Sequence, residues 1–383
     1  MKSFIPYGRQ DISHDDIEKV VEVLKSDFIT QGHAITEFES KLCEETGAKY
    51  AIVFNSATAA LHAAYQACGL TTGDELITTP NTFVATSNAA LYLNATPVFA
   101  DIESTTGNID INSIRKKISP KTKVIAPVDY SGQPCDMSEI YQLAKANNCY
   151  VVEDASHAIG SSYKDVKTGN GAFADITIFS FHPVKILTTG EGGAALTNNA
   201  EFAKKMQQFR SHGIVREDFK APSHGPWYYE MQDLGFNFRI TDIQAALGLS
   251  QISRLNSFIT TRNEIALRYQ KAFEGNPYFD ILEIKPERVS SYHLYPILLK
   301  DNLKSKKKII FEKLRENNIG VQCHYIPVNS QPYYQTFGHN ASDTPKANDF
   351  YEREISIPMY SSLSLEEQQY VIDTLIRVCS ELT

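Results

Sequence analysis

The chain has no Cys-x-x-Cys pair, no apolar run of membrane-spanning length and no excess of basic residues. Its six cysteines (Cys43, Cys68, Cys135, Cys149, Cys323 and Cys379) are scattered. That pattern signals neither a zinc site nor a disulfide framework, and it fits free thiols in a reducing compartment. No metal is therefore expected. The formal charge of −8 argues against nucleic acid or an anionic membrane as the main partner. Any bound anion must be held locally, by backbone N–H groups and a few Arg or Lys side chains. The opening stretch from Met1 to Tyr7 lacks the apolar core of a signal peptide, so the expected location is cytoplasmic. A G-x-G-x-x-G turn, a P-loop, internal repeats and low-complexity tracts are also missing.

What is present is ordinary globular material. The 383 residues, 42% of them hydrophobic and 21% charged, fit roughly two to three domains of ~150 residues each. From about 48 to 200, short apolar runs alternate with helical patterns. Strands are expected at 50–54, 75–78, 96–100, 123–126, 150–153, 175–180 and 193–197, with helices at 58–68, 84–93 and 137–147 between them. This alternation implies a mostly parallel sheet covered on both faces, with ligands beyond the carboxyl ends of its strands. Thr241 and Gln244 form a capping box ahead of apolar residues at helical spacing, predicting a long helix. Beyond it, a strand is expected over 292–299, with helices over 306–316 and 365–379. The stretch 216–233 holds too many turn formers for a core element and reads as a mobile loop near the cleft.

Four features fall at the inferred strand ends. The apolar run from Ile176 ends in Ser180, and Lys185 follows within one short loop ahead of the glycine-rich turn 188–193. A lysine based at a strand end can reach into a cleft and, once neutral, form a Schiff base. It reads equally well as a surface lysine. Asn55, Ser56, Ala57 and Thr58 lie between a strand and a helix, where small residues let an anion approach free N–H groups. A simple N-cap by Ser56 is the plainer reading. Asp154, directly after Tyr150, Val151, Val152 and Glu153, is costly at a buried strand end unless it meets a cation. A protonated pyridine nitrogen is such a cation, and a cap of the next helix is the alternative. Asn237 and Arg239, wedged between Phe236 and Phe238, either reach a ligand or cap the long helix.

In this order and spacing, the four features resemble the sugar aminotransferases of the DegT/DnrJ/EryC1/StrS family. The likeness runs from Tyr7 through Gln10 to His324 and Pro327. It implies an α/β, fold-type I enzyme. A large domain, 1–254, would carry a mostly parallel seven-stranded sheet and pyridoxal 5′-phosphate, followed by a smaller α+β domain, 255–383. Lys185 would be the Schiff-base lysine and general base, Asp154 the partner of the pyridine nitrogen, and His157 a contact of the ring oxygen, where many relatives have glutamine. Phe83 would stack on the pyridine face. The phosphate would rest on Ser56, Ala57, Thr58 and Ser180, with Asn237 reaching in from a second subunit, which requires a homodimer with shared sites. Ala57 stands where the commonest form of the phosphate motif has glycine, and a methyl group changes little.

On the substrate side the resemblance implies Tyr7, the turn of Phe28, Ile29, Thr30 and Gln31, Arg239, and the segment Gln322, Cys323, His324 and Tyr325. The fork of Arg239 matches a diphosphate or the carboxylate of glutamate. A narrower likeness rests on residues 27–32, 180–185 and 322–325. It implies amino transfer from L-glutamate to C4 of a UDP-linked 4-keto-6-deoxy-N-acetylhexose, in amino-sugar biosynthesis of the pseudaminic acid type. A dTDP- or GDP-linked keto-sugar is the alternative acceptor. A dehydratase on the same scaffold typically has histidine at the lysine position, which Lys185 argues against. A cofactor-binding regulator would be expected to carry a DNA-binding domain, for which this acidic chain offers no segment.

Overall fold

A computed structural model describes residues 3–383, so Met1 and Lys2 of the opening stretch lie outside the described residues. Two helices, α1 (His14–Leu24) and α2 (His33–Thr46), precede the first strand. The seven strands of the main sheet are β1 (Tyr50–Phe54), β2 (Glu75–Thr78), β3 (Thr96–Phe99), β4 (Thr122–Ala126), β5 (Tyr150–Asp154), β6 (Ile176–Ser180) and β7 (Gly193–Thr197). Their order is β1-β7-β6-β5-β4-β2-β3. Strands β3, β2, β4, β5 and β6 run parallel, and β7 is antiparallel to both β6 and β1. The strand interiors are buried on both faces, which is why they read as continuous apolar runs rather than alternating ones. Between them lie α3 (Ala57–Ala67), α4 (Ala85–Leu91) and α5 (Met137–Ala146). Almost every side chain of α3 is buried, so its alanines are what let it sit directly on the sheet.

The expected long helix is two. After α6 (Ala200–Arg210), the capping box of Thr241 and Gln244 starts α7 (Asp242–Ser253), and α8 (Leu255–Phe273) follows a break at Arg254. The break has a cause remote in sequence: the Arg254 guanidinium bonds the carbonyl and carboxylate of Asp11 and the buried carboxylate of Asp16. Residues 216–233 form no core element. Two-residue strands, Ile214–Val215 and Glu230–Met231, pair across this excursion, and the Glu230 carboxylate accepts the N–H groups of Lys220 and Ala221.

A second core gathers around β8 (Phe279–Ile281), β9 (Tyr295–Leu299) and β10 (Glu354–Ile357), an antiparallel sheet in the order β8-β9-β10, packed by α9 (Lys307–Glu316) and α10 (Leu365–Glu381). Ile5 belongs to this core, bonded through its backbone to Asn318 and Gly320. Strand β9 begins at Tyr295 rather than at 292, because the residues before it are engaged elsewhere. Tyr292 turns at φ +46°, Ser291 N–H donates to the Gly132 carbonyl, and Ser131 Oγ donates to the Leu294 carbonyl. This segment carries the C-terminal core onto the main sheet beside the strand ends.

Candidate active site

Polar residues close the parallel strands where they converge. Asp154 ends β5 level with Ile178, and Ser180 ends β6 opposite Gly193, which also faces Phe54 at the end of β1. A buried carboxylate needs donors to offset its lost hydration. Thr86 Oγ1 on α4 donates to Asp154 Oδ2 at 2.6 Å, and the Ser156 N–H donates to Oδ1 at 3.2 Å. Half-buried Lys185 faces the same space. Burial pushes its amine down to about 8, and the Asp154 carboxylate pulls partly in the other direction.

The N-terminus of α3 arrives from beside β1. Ser56 caps it, its Oγ accepting the Ala59 N–H at 3.1 Å, while the first-turn N–H groups of Ala57 and Thr58 have no intrahelical acceptor. Gly193 permits the approach: a Cβ there would stand 2.4 Å from Ala57 N and 2.6 Å from Ala57 Cα. A positive helix end and the Ser180 hydroxyl thus meet at one seat, a suitable place for a phosphate group.

On the other side of Lys185 lies an aromatic and imidazole wall. The Ser131 N–H donates to His157 Nδ1 at 3.3 Å, and His157 Nε2 lies 3.0 Å from the Tyr325 hydroxyl. Because a backbone N–H only donates, Nδ1 is the unprotonated nitrogen and Nε2–H points at Tyr325. Burial keeps this ring neutral, well below the usual histidine range, and the Lys185 charge acts in the same direction. His293 Nε2 lies 3.4 Å from Lys185 Nζ, and its ring centroid is 4.4 Å from that of His157. His324 packs 5.4 Å from Tyr7, with Nδ1 2.8 Å from Ser356 Oγ, which donates to Glu354 Oε1 at 2.5 Å. Burial, then the nearby Lys185 charge, lowers His324 to about 3. Phe83 is largely exposed, 6.4 Å from the Tyr325 ring.

One set of the sequence-predicted residues therefore converges: Asp154, His157, Lys185, Tyr7, His324 and Tyr325, with Ser56, Ala57, Thr58 and Ser180 at the helix end and Phe83 at the rim. The other expected residues bond to different partners, although the Phe238 carbonyl between Asn237 and Arg239 accepts the Asn55 N–H beside the α3 N-terminus. Phe28, Ile29, Thr30 and Gln31 form an exposed turn on the N-terminus of α7, where the Asp242 N–H donates to the Ile29 carbonyl and its carboxylate accepts the Gly32 and Ala34 N–H groups. Asn237 is exposed and paired with Ser211, next to half-buried Arg239. Among the described residues, neither group hydrogen-bonds to Lys185, Asp154 or His157. Gln322 and Cys323 lie along β10: Gln322 pairs with Ser356 through the backbone, and Cys323 Sγ donates to the Glu354 carbonyl at 3.6 Å. Burial raises the Cys323 thiol, so it is not a thiolate nucleophile at neutral pH. Sequence reasoning missed Thr86, Ser131, His293, Glu354 and Ser356. The only signal for His293 is an imidazole inside an otherwise apolar run.

A lysine amine of lowered basicity, a fixed carboxylate and an open helix N-terminus, all beyond the ends of a mostly parallel seven-stranded sheet, define a fold-type I pyridoxal-phosphate enzyme. The sequence matches the DegT/DnrJ/EryC1/StrS aminotransferase family over residues 10–376, and the chain belongs to that family. It is a sugar aminotransferase dependent on pyridoxal 5′-phosphate. It is 41% identical over 381 residues, 99% of this chain and 98% of the relative, to the UDP-4-amino-4,6-dideoxy-N-acetyl-beta-L-altrosamine transaminase of Campylobacter jejuni. Among solved structures, it is similar to Helicobacter pylori PseC, an aminotransferase involved in the biosynthesis of pseudoaminic acid. That match has a TM-score of 0.93 and 40% identity, over 99% of this chain and 100% of that one. The PLP-form of Spr1654 from Streptococcus pneumoniae matches with a TM-score of 0.93 and 32% identity, over 99% of this chain and 100% of that one.

Proposed function

We propose that this enzyme moves the amino group of L-glutamate to C4 of a UDP-linked 4-keto-6-deoxy-N-acetylhexose, in amino-sugar biosynthesis of the pseudaminic acid type. The full-length identity to the Campylobacter jejuni transaminase supports the substrate class. The observation that carries the chemistry is the placement of Lys185, its amine brought down to about 8, beside the hydrogen-bonded Asp154 carboxylate. When bound, pyridoxal phosphate supplies an electron sink and a carbon that carries the amino group between two substrates.

The residues have separable tasks. Lys185 holds the cofactor and, when released, takes and returns the proton at the substrate carbon; its lowered basicity leaves roughly a tenth of the amine free at neutral pH. Asp154 is a fixed anion for the pyridine nitrogen, with both carboxylate oxygens already oriented by Thr86 and Ser156. His157 presents its ring to the cofactor's ring oxygen while Ser131 and Tyr325 fix its tautomer. Phe83 covers the pyridine face. Ser56, Ala57, Thr58 and Ser180 seat the phosphate.

Asn237 acts in the site of a second subunit, where it reaches the phosphate, so the working form is a homodimer. The turn from Phe28 to Gln31 lines the sugar-nucleotide side, and Arg239 meets a diphosphate or glutamate carboxylate. Tyr7 and the segment Gln322, Cys323, His324 and Tyr325 face the sugar nucleotide. The chain divides at 254/255 into a cofactor-binding domain and a smaller domain, and it works in the cytoplasm on small molecules, away from nucleic acid and membrane. Among the described residues, no helix is long and apolar enough to cross a membrane. The test is product analysis with L-glutamate and matched UDP-, dTDP- and GDP-linked 4-keto sugars. Amination of the UDP sugar at C4 is expected; turnover of only a dTDP or GDP sugar would replace the acceptor assigned here.

A further inference from the structure

His293 comes from the segment that carries the C-terminal core onto the main sheet, and it is unusually well fixed. Its backbone carbonyl accepts from the buried Arg262 guanidinium at 3.4 Å. The next residue, Leu294, donates to the Ser131 carbonyl and accepts from Ser131 Oγ. Ser131 also sets the tautomer of His157, whose ring lies 4.4 Å away, so one residue aligns both imidazoles. Among the described residues, the His293 ring has one hydrogen-bonding neighbour: Nε2 lies 3.4 Å from Lys185 Nζ, while buried Nδ1 has no hydrogen-bond partner. A fixed, buried imidazole aimed at a single amine is built for that amine.

We propose that His293 is a positioning residue for Lys185: the His293 Nε2 lone pair accepts a hydrogen bond from the lysine amine and fixes where that amine points whenever Lys185 is not bonded to the cofactor. The inference rests on Lys185 being the cofactor's lysine. No proton changes owner in this step; the imidazole only accepts. Burial keeps His293 neutral, below the usual histidine range, which preserves that lone pair. The other groups facing the amine are Asp154 at the end of β5, His157 in the loop after it and His324 beside β10. Asp154 is the only anion among them. An acceptor at His293 therefore adds to Asp154 in favouring the protonated amine, while the three rings stay uncharged.

The test uses apoprotein stripped of cofactor and reloaded with pyridoxal 5′-phosphate across a pH series, followed by the absorbance of the lysine-bound cofactor. Loss of the acceptor in His293→Phe is expected to lower the pH midpoint of reloading by about half a unit or more. It should also slow release of Lys185 by L-glutamate about tenfold. His293→Asn, whose side-chain oxygen can accept, is expected to restore most of the midpoint. Equal midpoints in wild type and both variants overturn the assignment. If His293→Phe fails to fold, 15N-histidine-labelled wild-type apoprotein gives the same decision. The Nε2 resonance absent from His293→Asn should move as Lys185 titrates near about 8, and a resonance indifferent to that range overturns the proposal. A wild-type protein that forms no lysine-bound band would instead remove the underlying reading of Lys185.

Discussion

At the residue scale, the proposed catalysis rests on a lysine amine of lowered basicity and a carboxylate held in place by Thr86 and Ser156. Lys185 is lowered by burial to about 8 and partly restored by Asp154, so its neutral fraction grows as pH rises through that value. The sign gives a direct prediction: cofactor reloading of the apoprotein speeds up with pH to a plateau, with a midpoint near about 8 rather than the ordinary lysine value. Rapid-mixing absorbance across the pH range checks it. Asp154→Asn keeps the shape and removes the charge, so the ring-nitrogen proton loses its partner. It should retain a lysine-bound band and reduce turnover by about 10²- to 10³-fold in steady-state assays. Asp154 was legible in sequence because it closes an apolar run where a buried charge has to be explained, and Lys185 because it follows such a run within one short loop ahead of a glycine-rich turn. His293 and Thr86 were not, since a lone histidine in a strand-like run and a threonine in a helix carry no such demand. Only the fold brings them to the amine and the carboxylate.

At the element scale, the phosphate seat depends on how closely α3 can approach the ends of β1, β6 and β7. Gly193 provides the space, and its φ is unremarkable; what matters is the missing side chain. The expected consequence of Gly193→Ala is a forced separation of β7 and the α3 N-terminus, costing on the order of 1–3 kcal/mol in stability. Cofactor affinity should weaken more than the loss of fold stability alone would produce, measured by reloading titration beside thermal unfolding. The strands were readable in the chain because both faces of the sheet are covered, which makes them short and continuously apolar. The break between α7 and α8 was unreadable for a different reason. Arg254 is tied to Asp11 and Asp16, so the cause of a local bend lies at the far end of the sequence. Helices α1 and α2 gave no expectation either, and Asp242 of α7 anchors the N-terminus of α2 through the Gly32 and Ala34 N–H groups.

At the scale of the whole molecule, the site draws on both cores: Asp154 and Lys185 from the main sheet, His293, His324 and Tyr325 from the C-terminal part. The remaining expected residues, Asn237 and the turn from Phe28 to Gln31, make no hydrogen bond to Lys185 within one chain, although the Phe238 carbonyl next to Asn237 accepts the Asn55 N–H beside the α3 N-terminus. The proposed shared-site dimer would bring Asn237 into the partner's site. It predicts complementation: Lys185→Ala and Asn237→Ala proteins, each weak or inactive alone, should regain activity when mixed and allowed to exchange subunits. About a quarter of the sites would then be intact. A mixture no better than its parts, with subunit exchange verified, would place Asn237 outside the partner's site. The central claim is simpler and is tested by one absorbance spectrum of the purified protein with pyridoxal 5′-phosphate, before and after L-glutamate. A lysine-bound band that converts to the amino form of the cofactor, and is absent in Lys185→Ala, is the predicted result. A wild-type protein that forms no band, or a Lys185→Ala variant that forms the same one, would contradict it.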